Sequence, residues 1–241
     1  MSRIILVHGA WHGAWCWDKI VPLLEEAGHD VVTFDLPGHG DDATDTNEVS
    51  LQAYTDRLVE ALDASEESSI LVGHSMGGLP ITEAAEVRPQ RISKLVYLTA
   101  FLLQDGQTLL DVAGPDKGLV IPNLEFTGDQ SAAKVKDSML KEAFYADCSE
   151  KDIAHARENL VWQAAAPFAT PVRVTETSQG VPKAYIECTN DRAITIETQR
   201  MMQSAAGKVE VLTMETSHSP FLSAPEELAK NLDNLAAGER A

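Results

Sequence analysis

The stretch SSILVGHSMGG, Ser68 to Gly78, decides how this chain is read. An apolar run with strand character ends in Gly73, G-H-S-M-G follows at once, and a helical pattern comes after it. A serine in that setting sits on a very tight strand-to-helix turn, in strained backbone geometry, with Oγ projecting above a sheet edge. Gly73 and Gly77 are needed because a β-carbon at either place collides with neighbouring backbone. The helix beyond aims its N-terminus at the site, where free N–H groups and the helix dipole favour negative charge. The plainer interpretation is a glycine-rich turn with a serine N-cap; the strand before and the helix after favour a nucleophile at Ser75. Pro80 falls early in that helix, where it removes a backbone hydrogen bond without touching the turn.

Outward from this turn, short β-branched runs alternate with longer helical patterns, the signature of an α/β fold with a mainly parallel sheet flanked by helices. Candidate strands are 3–7, 30–35, 68–73, 94–100, 183–188 and 209–214. Helices are predicted over 18–27, over 50–64 with Ser50 as N-cap, and from Pro225 onward, where Leu228, Leu232 and Leu235 face inward. The rhythm breaks between about Gln104 and Val181. Residues 104–181 therefore read as an inserted helical cap, with helices over 131–145 and 150–163, between core portions 1–103 and 182–241. Ordinary crossover helices with long loops are the alternative.

The composition excludes several roles. The chain has 241 residues, enough for one large α/β domain, and 44% are hydrophobic, ordinary for a sizeable core. Its 37 acidic residues against 19 basic ones give a formal net charge of −18. Such a surface repels phosphate backbones and anionic lipid, which argues against nucleic-acid and membrane partners. Cys16, Cys148 and Cys188 show no C-x-x-C spacing, which argues against a disulfide framework or zinc cluster and fits a reducing cytosol. The apolar run in MSRIILVHG is too short for a signal peptide, and no later run approaches ~20 apolar residues. A soluble, cytoplasmic protein is expected.

A serine hydroxyl needs a histidine base held by a carboxylate. Two histidines follow Ser75. His155 lies within the cap with the character of a helix-surface residue, whereas His218 sits in ETSHSP, between the last strand and the final helix. Position favours His218. The acid candidate is Asp191, in CTNDRAI beyond the strand KAYIEC, with Asp105 after the fourth strand as the geometric runner-up. Two backbone N–H groups must also face the developing oxyanion. Met76, after the nucleophile, supplies one; Ala10, in the loop of VHGAWHGAWCW after the first strand, supplies the other, with Gly9 allowing close approach. His8 and His12 are spaced as metal ligands can be, but Gly9 and Gly13 argue against a ligand-bearing helix, so no metal is expected. Trp15 and Trp17 read as core. Gly9, Trp11, Phe126, Phe144, Trp162 and Phe168 are the candidate substrate pocket, apolar or aromatic in preference.

Together HGAWHGAWCWDKIVPLLEEAGHDVVTFDLPGHG, GHSMGG, CTNDRAI and SHSPFLSAPEELA resemble the methylesterase and hydroxynitrile lyase family of the α/β-hydrolase superfamily. The resemblance covers most of residues 3–100 and 181–236 and is weak through the cap. It implies the α/β-hydrolase fold, Ser75, Asp191 and His218 as a catalytic triad, and Ala10 and Met76 as the oxyanion hole. The lyases of this family carry a threonine where Gly9 stands and a lysine where Ser219 stands, which points this chain to ester hydrolysis instead. The expectation is a serine carboxylesterase acting on small apolar or aromatic esters through an acyl-enzyme, with no cofactor. Its partner is a small-molecule ester, and a homodimer is left open. Lyase-like C–C cleavage and a non-catalytic small-molecule receptor on the same fold are the rivals, with amide hydrolysis sharing the same triad.

Overall fold

Runs that are apolar on both faces belong inside a sheet covered on both sides. The computed structural model, which describes residues 1–238, buries them so. Its strands in chain order are β1 (Arg3–Val7), β2 (Asp30–Thr33), β3 (Ser69–His74), β4 (Ile92–Leu98), β5 (Leu124–Phe126), β6 (Ala132–Val135), β7 (Gln163–Ala164), β8 (Lys183–Cys188) and β9 (Glu210–Met214). Six of them form one parallel sheet in the order β2-β1-β3-β4-β8-β9. The central β1 and β3 are buried at every residue, while β2 and β9 at the edges are partly exposed.

Register sets where the site can be. Val7 lies opposite Gly73, His74 opposite Leu98, and Leu98 opposite Ile186. The carboxyl ends of four adjacent strands therefore emerge at one level, where ligands of open α/β sheets bind. Helices pack along the strands. Helix α1 (Val21–Glu26) opens with a proline in its first turn, and α2 (Leu51–Asp63) is capped by the Ser50 hydroxyl, which accepts the Ala53 N–H at 3.1 Å. Leu51, Tyr54, Leu58 and Leu62 of α2 are buried on one face, each leucine contributing about 1.5–3 kcal/mol of transfer free energy. Helix α3 (Gly78–Val87) follows the serine turn, with Pro80 in its first turn, where a missing N–H costs least. The helix Pro225–Ala237 closes the described chain, with Leu228, Leu232 and Leu235 inward as predicted.

The segment between β4 and β8 differs from its prediction in kind. It holds short helices (Leu109–Ala113, Leu140–Phe144, Glu150–Asn159) and also a three-stranded antiparallel sheet in the order β5-β6-β7. The helix predicted over 131–145 is strand β6 followed by helical turns. Ala132 and Ala133 are good helix formers, but pairing with Ala164 and Gln163 of β7 overrides that preference. The helix predicted over 150–163 stops at Asn159, and the one over 18–27 is confined to α1, with a 3-10 turn, Ala14–Trp17, ahead of it.

Candidate active site

Ser75 stands at φ +54, in the left-handed region that only a constrained turn imposes on a serine. The two glycines around it are obligatory. A Cβ on Gly73 would lie 2.4 Å from the Gly77 carbonyl oxygen, and one on Gly77 would lie 2.7 Å from that of Val7. The turn thus packs against the end of β1, and the 3-10 turn Ser75–Gly77 feeds directly into α3.

His218 lies in the loop after β9, buried at 1% side-chain exposure, and its Nδ1–H donates to Asp191 Oδ2 at 2.6 Å. Asp191 comes from the turn after β8. Its Oδ1 accepts the N–H groups of Ala193 at 2.6 Å and Ile194 at 3.0 Å, and its Oδ2 also accepts the Thr99 hydroxyl. Four donors on one carboxylate are what a buried negative charge requires. With Nδ1–H committed to Asp191, the neutral imidazole presents Nε2 as an acceptor. Among the described residues no hydrogen bond joins Nε2 of His218 to Ser75 Oγ; such bonds are commonly long until substrate arrives. Asp105 is remote from this pair in its bonding: its Oδ1 accepts the Val174 N–H at 2.9 Å. His155 is exposed on the helix Glu150–Asn159, its ring against Trp15 at 5.5 Å.

The loop after β1 is held by its own histidines. His8 donates from Nδ1 to the Gly9 carbonyl at 2.8 Å and accepts the Leu36 N–H on Nε2 at 3.1 Å. His12 donates from Nδ1 to the Ala10 carbonyl at 2.8 Å and accepts the Tyr145 hydroxyl on Nε2 at 2.7 Å. Both rings spend both nitrogens on protein, and burial pushes both well below the ordinary imidazole range, His12 to about 3. Trp11 stands at φ +65, its Nε1–H donating to Ala133 of β6 at 2.8 Å and its carbonyl accepting the Val161 N–H at 3.0 Å. Trp17 is buried against Phe221 at 5.3 Å, and Trp15 stacks on His12 at 5.4 Å.

Ala10, Trp11, Ser75, Met76, Phe144 and Phe168 line one cavity. Two of the expected pocket aromatics are elsewhere. Phe126, 54% exposed, is on the outward side of the edge strand β5, and Trp162, 36% exposed, lies under the Lys134 ammonium at 4.8 Å. A strand of three residues presents either face to the core, and only its pairing decides which. Gly9 stands behind the serine rather than in the cavity wall: a Cβ there would lie 2.9 Å from both Ser75 Cβ and His74 Nδ1. The remaining wall is Phe101, Leu109, Ala113, Val120, Ile121, Ala193 and Ile194. None of these was singled out from the sequence, although the spacing of Leu109 and Ala113 on one helical face was a usable signal. Thr99, His74 and Asp147 were also missed. Asp147 accepts the N–H of Ser217 at 2.7 Å and its hydroxyl, tying the segment between β4 and β8 to the residue before His218.

Comparison with known proteins shows the family. A model described as the alpha/beta hydrolase family matches residues 4–231. The chain is 34% identical to a pyrethroid hydrolase of Sphingobium wenxiniae, over 98% of this chain and 88% of that one. It is 29% identical to Methylesterase 9 of Arabidopsis thaliana, over 98% of each. The crystal structure of a pyrethroid hydrolase from Sphingobium faniae superposes with a TM-score of 0.88 at 32% identity, covering 98% of this chain and 97% of that one. The chain belongs to the α/β hydrolase family, and it is an enzyme of that family's carboxylic-ester-hydrolysing branch.

Proposed function

We propose that the protein is a serine carboxylesterase in which Ser75 is the nucleophile, His218 the general base and acid, and Asp191 the group that orients it. The observation that carries this is the buried His218–Asp191 pair at 2.6 Å, presented at the strand ends where the constrained Ser75 turn also emerges. Ser75 Oγ attacks the ester carbonyl carbon while its proton passes to Nε2 of His218. The oxyanion is held by the N–H groups of Ala10 and Met76, which flank Ser75 in the cavity. Collapse expels the alkoxide, which takes the proton from His218 and leaves as alcohol. Water then attacks the acyl-enzyme, gives its proton to His218, and releases the acid as Ser75 regains its hydrogen.

Thiols compete poorly here. Cys148 is half-buried, with burial pushing its thiol up to about 12, and burial pushes Cys16 and Cys188 up as well. Three free cysteines also support placement in the cytosol, and among the described residues no helix is long and apolar enough to cross a membrane. The cavity wall, formed by aliphatic and aromatic side chains around the single serine hydroxyl, supports neutral esters with apolar or aromatic acyl groups. The names of the relatives make pyrethroid and methyl esters the first substrates to try. Gly9 and Ser219 support hydrolysis over lyase chemistry, since the lyases that the chain resembles carry a threonine and a lysine at those two places.

The test is a panel of p-nitrophenyl and methyl esters, neutral and charged, with a cyanohydrin beside them, run on wild type and Ser75→Ala. Turnover of neutral esters that disappears in Ser75→Ala is expected. Cyanide release without ester turnover would overturn hydrolysis, and equal rates on charged and apolar acids would overturn the substrate class.

A further inference from the structure

Thr99 stands at φ +36, immediately past the end of β4. A β-branched residue in the left-handed region is an outlier. Such strain persists where the surrounding structure over-determines it, and it clusters at functional sites. Thr99 is fully buried, and its N–H donates to the Ile186 carbonyl of β8 at 2.9 Å. Its hydroxyl donates to Asp191 Oδ2, the same oxygen that accepts Nδ1–H of His218. The direction of that bond is unambiguous, because a carboxylate bonded by two backbone N–H groups and paired with imidazole has only acceptors to offer.

β4 runs between β3, which carries the serine, and β8, which leads to the acid. The bend just past β4 touches both. Phe101 N–H donates to the Ser75 carbonyl at 3.1 Å, and the Ala100 carbonyl accepts the Tyr185 hydroxyl at 2.9 Å. Glycine or asparagine would enter this conformation more easily. A buried, strained threonine in their place keeps one thing they lack: a hydroxyl on a stiff χ1.

We propose that Thr99 is a positioning residue for the reaction, holding the Asp191 carboxylate in the plane that directs Oδ2 at His218. The proposal rests on the triad reading above. Backbone donors fix Oδ1, but on the Oδ2 side the Thr99 hydroxyl is the restraint that does not move with the imidazole. Without it the carboxylate rocks about its Cβ–Cγ bond, and His218 loses alignment in the transition state more than in substrate binding.

The experiment compares Thr99→Val, which keeps the shape and removes the hydroxyl, with Thr99→Ser, which keeps the hydroxyl and removes the branch. Thr99→Val is expected to lower kcat about 10- to 100-fold, as for a lost hydrogen bond to a charged group, with KM changed by no more than about twofold. The low-field proton resonance of His218 Nδ1–H is expected to shift or broaden in Thr99→Val, and Thr99→Ser to recover most of kcat. If Thr99→Val does not fold, Thr99→Ala, which relieves the branch strain, carries the same comparison. Wild-type kcat and an unmoved resonance in the hydroxyl-free variant would overturn the proposal, as would losses in the Val and Ser variants that simply follow Tm. Failure of the triad reading shows separately, as activity or fluorophosphonate labelling that survives in Ser75→Ala.

Discussion

The ring of His74 donates through Nε2 to the main-chain carbonyl of His218 at 2.9 Å, with the two ring centroids 4.6 Å apart. The residue before the serine thereby holds the loop that bears the base. Burial, with His218 nearby, keeps His74 well below the ordinary imidazole range, so its ring is neutral and its one proton is assigned to Nε2 by the carbonyl it faces. Removing this donor frees the His218 loop. His74→Leu is expected to lower kcat by about 3- to 10-fold, the range of one neutral hydrogen bond, and His74→Gln, which still has a donor, to lose less. Equal rates in the Leu variant and wild type would show that the loop stands without this bond.

Ser75→Ala and His218→Ala are each expected to lower kcat by ~10⁴ or more, and the double variant to lose little beyond that, since triad members act as a unit. Steady-state kinetics on a p-nitrophenyl ester measures this, with fluorophosphonate labelling of Ser75 as the parallel readout. Additive losses would argue that the two residues act in separate steps.

Asp191→Asn is expected to be nearly as severe, about 10⁴ in kcat, because an amide imposes the wrong tautomer on His218. Asp105→Asn is the contrast. That carboxylate accepts the Val174 N–H at 2.9 Å, joining the two ends of the segment between β4 and β8, so its loss is expected to lower Tm slightly and spare kcat. The reverse pattern would move the acid to the end of β4.

Asp147, in the segment between β4 and β8, reaches Ser217 with two hydrogen bonds, one to the main chain and one to the hydroxyl. Phe144, three residues earlier, packs on the His218 ring at 5.5 Å. The segment between β4 and β8 is therefore part of the support for the base as well as of the cavity wall. Asp147→Ala is expected to lower kcat about 3- to 10-fold, with Asp147→Asn in between. Kinetics that change in KM alone would mean this segment acts only on substrate entry.

Stability is expected to fall on acidification. Burial keeps His8 and His74 well below the ordinary range and His12 at about 3, whereas the unfolded chain protonates these rings near ~6.5. Between those limits the unfolded state binds more protons, so this stabilisation is complete above ~6.5 and lost progressively as pH falls, for His12 toward about 3. The urea midpoint is expected to be lower at pH ~5 than at ~7.5, and less so in His12→Gln. A midpoint unchanged by acid would mean the buried rings are not neutral.

What the sequence determined by itself was what the backbone determines locally. Gly73 and Gly77 flank Ser75 because a β-carbon at either would strike backbone at 2.4 or 2.7 Å, and that constraint is written in adjacent residues. Ser50 and Pro225 mark helix starts for the same reason: the orphan N–H groups they serve lie within one turn. The succession of the six strands of the parallel sheet along the chain followed from alternation, and with it the strand ends at which Asp191 and the His218 loop emerge. Tertiary structure alone decided which groups meet across long separations. Thr99 and Asp191 are neighbours only because β4 pairs with β8, and Asp147 finds Ser217 only because the segment between β4 and β8 packs against the loop after β9. It also decided that Phe144 and Phe168 face the cavity while Phe126 and Trp162 do not. Short-range sterics act on residues in sequence; burial and hydrogen bonding act on residues in space, and the chain has to fold before the second set of neighbours exists.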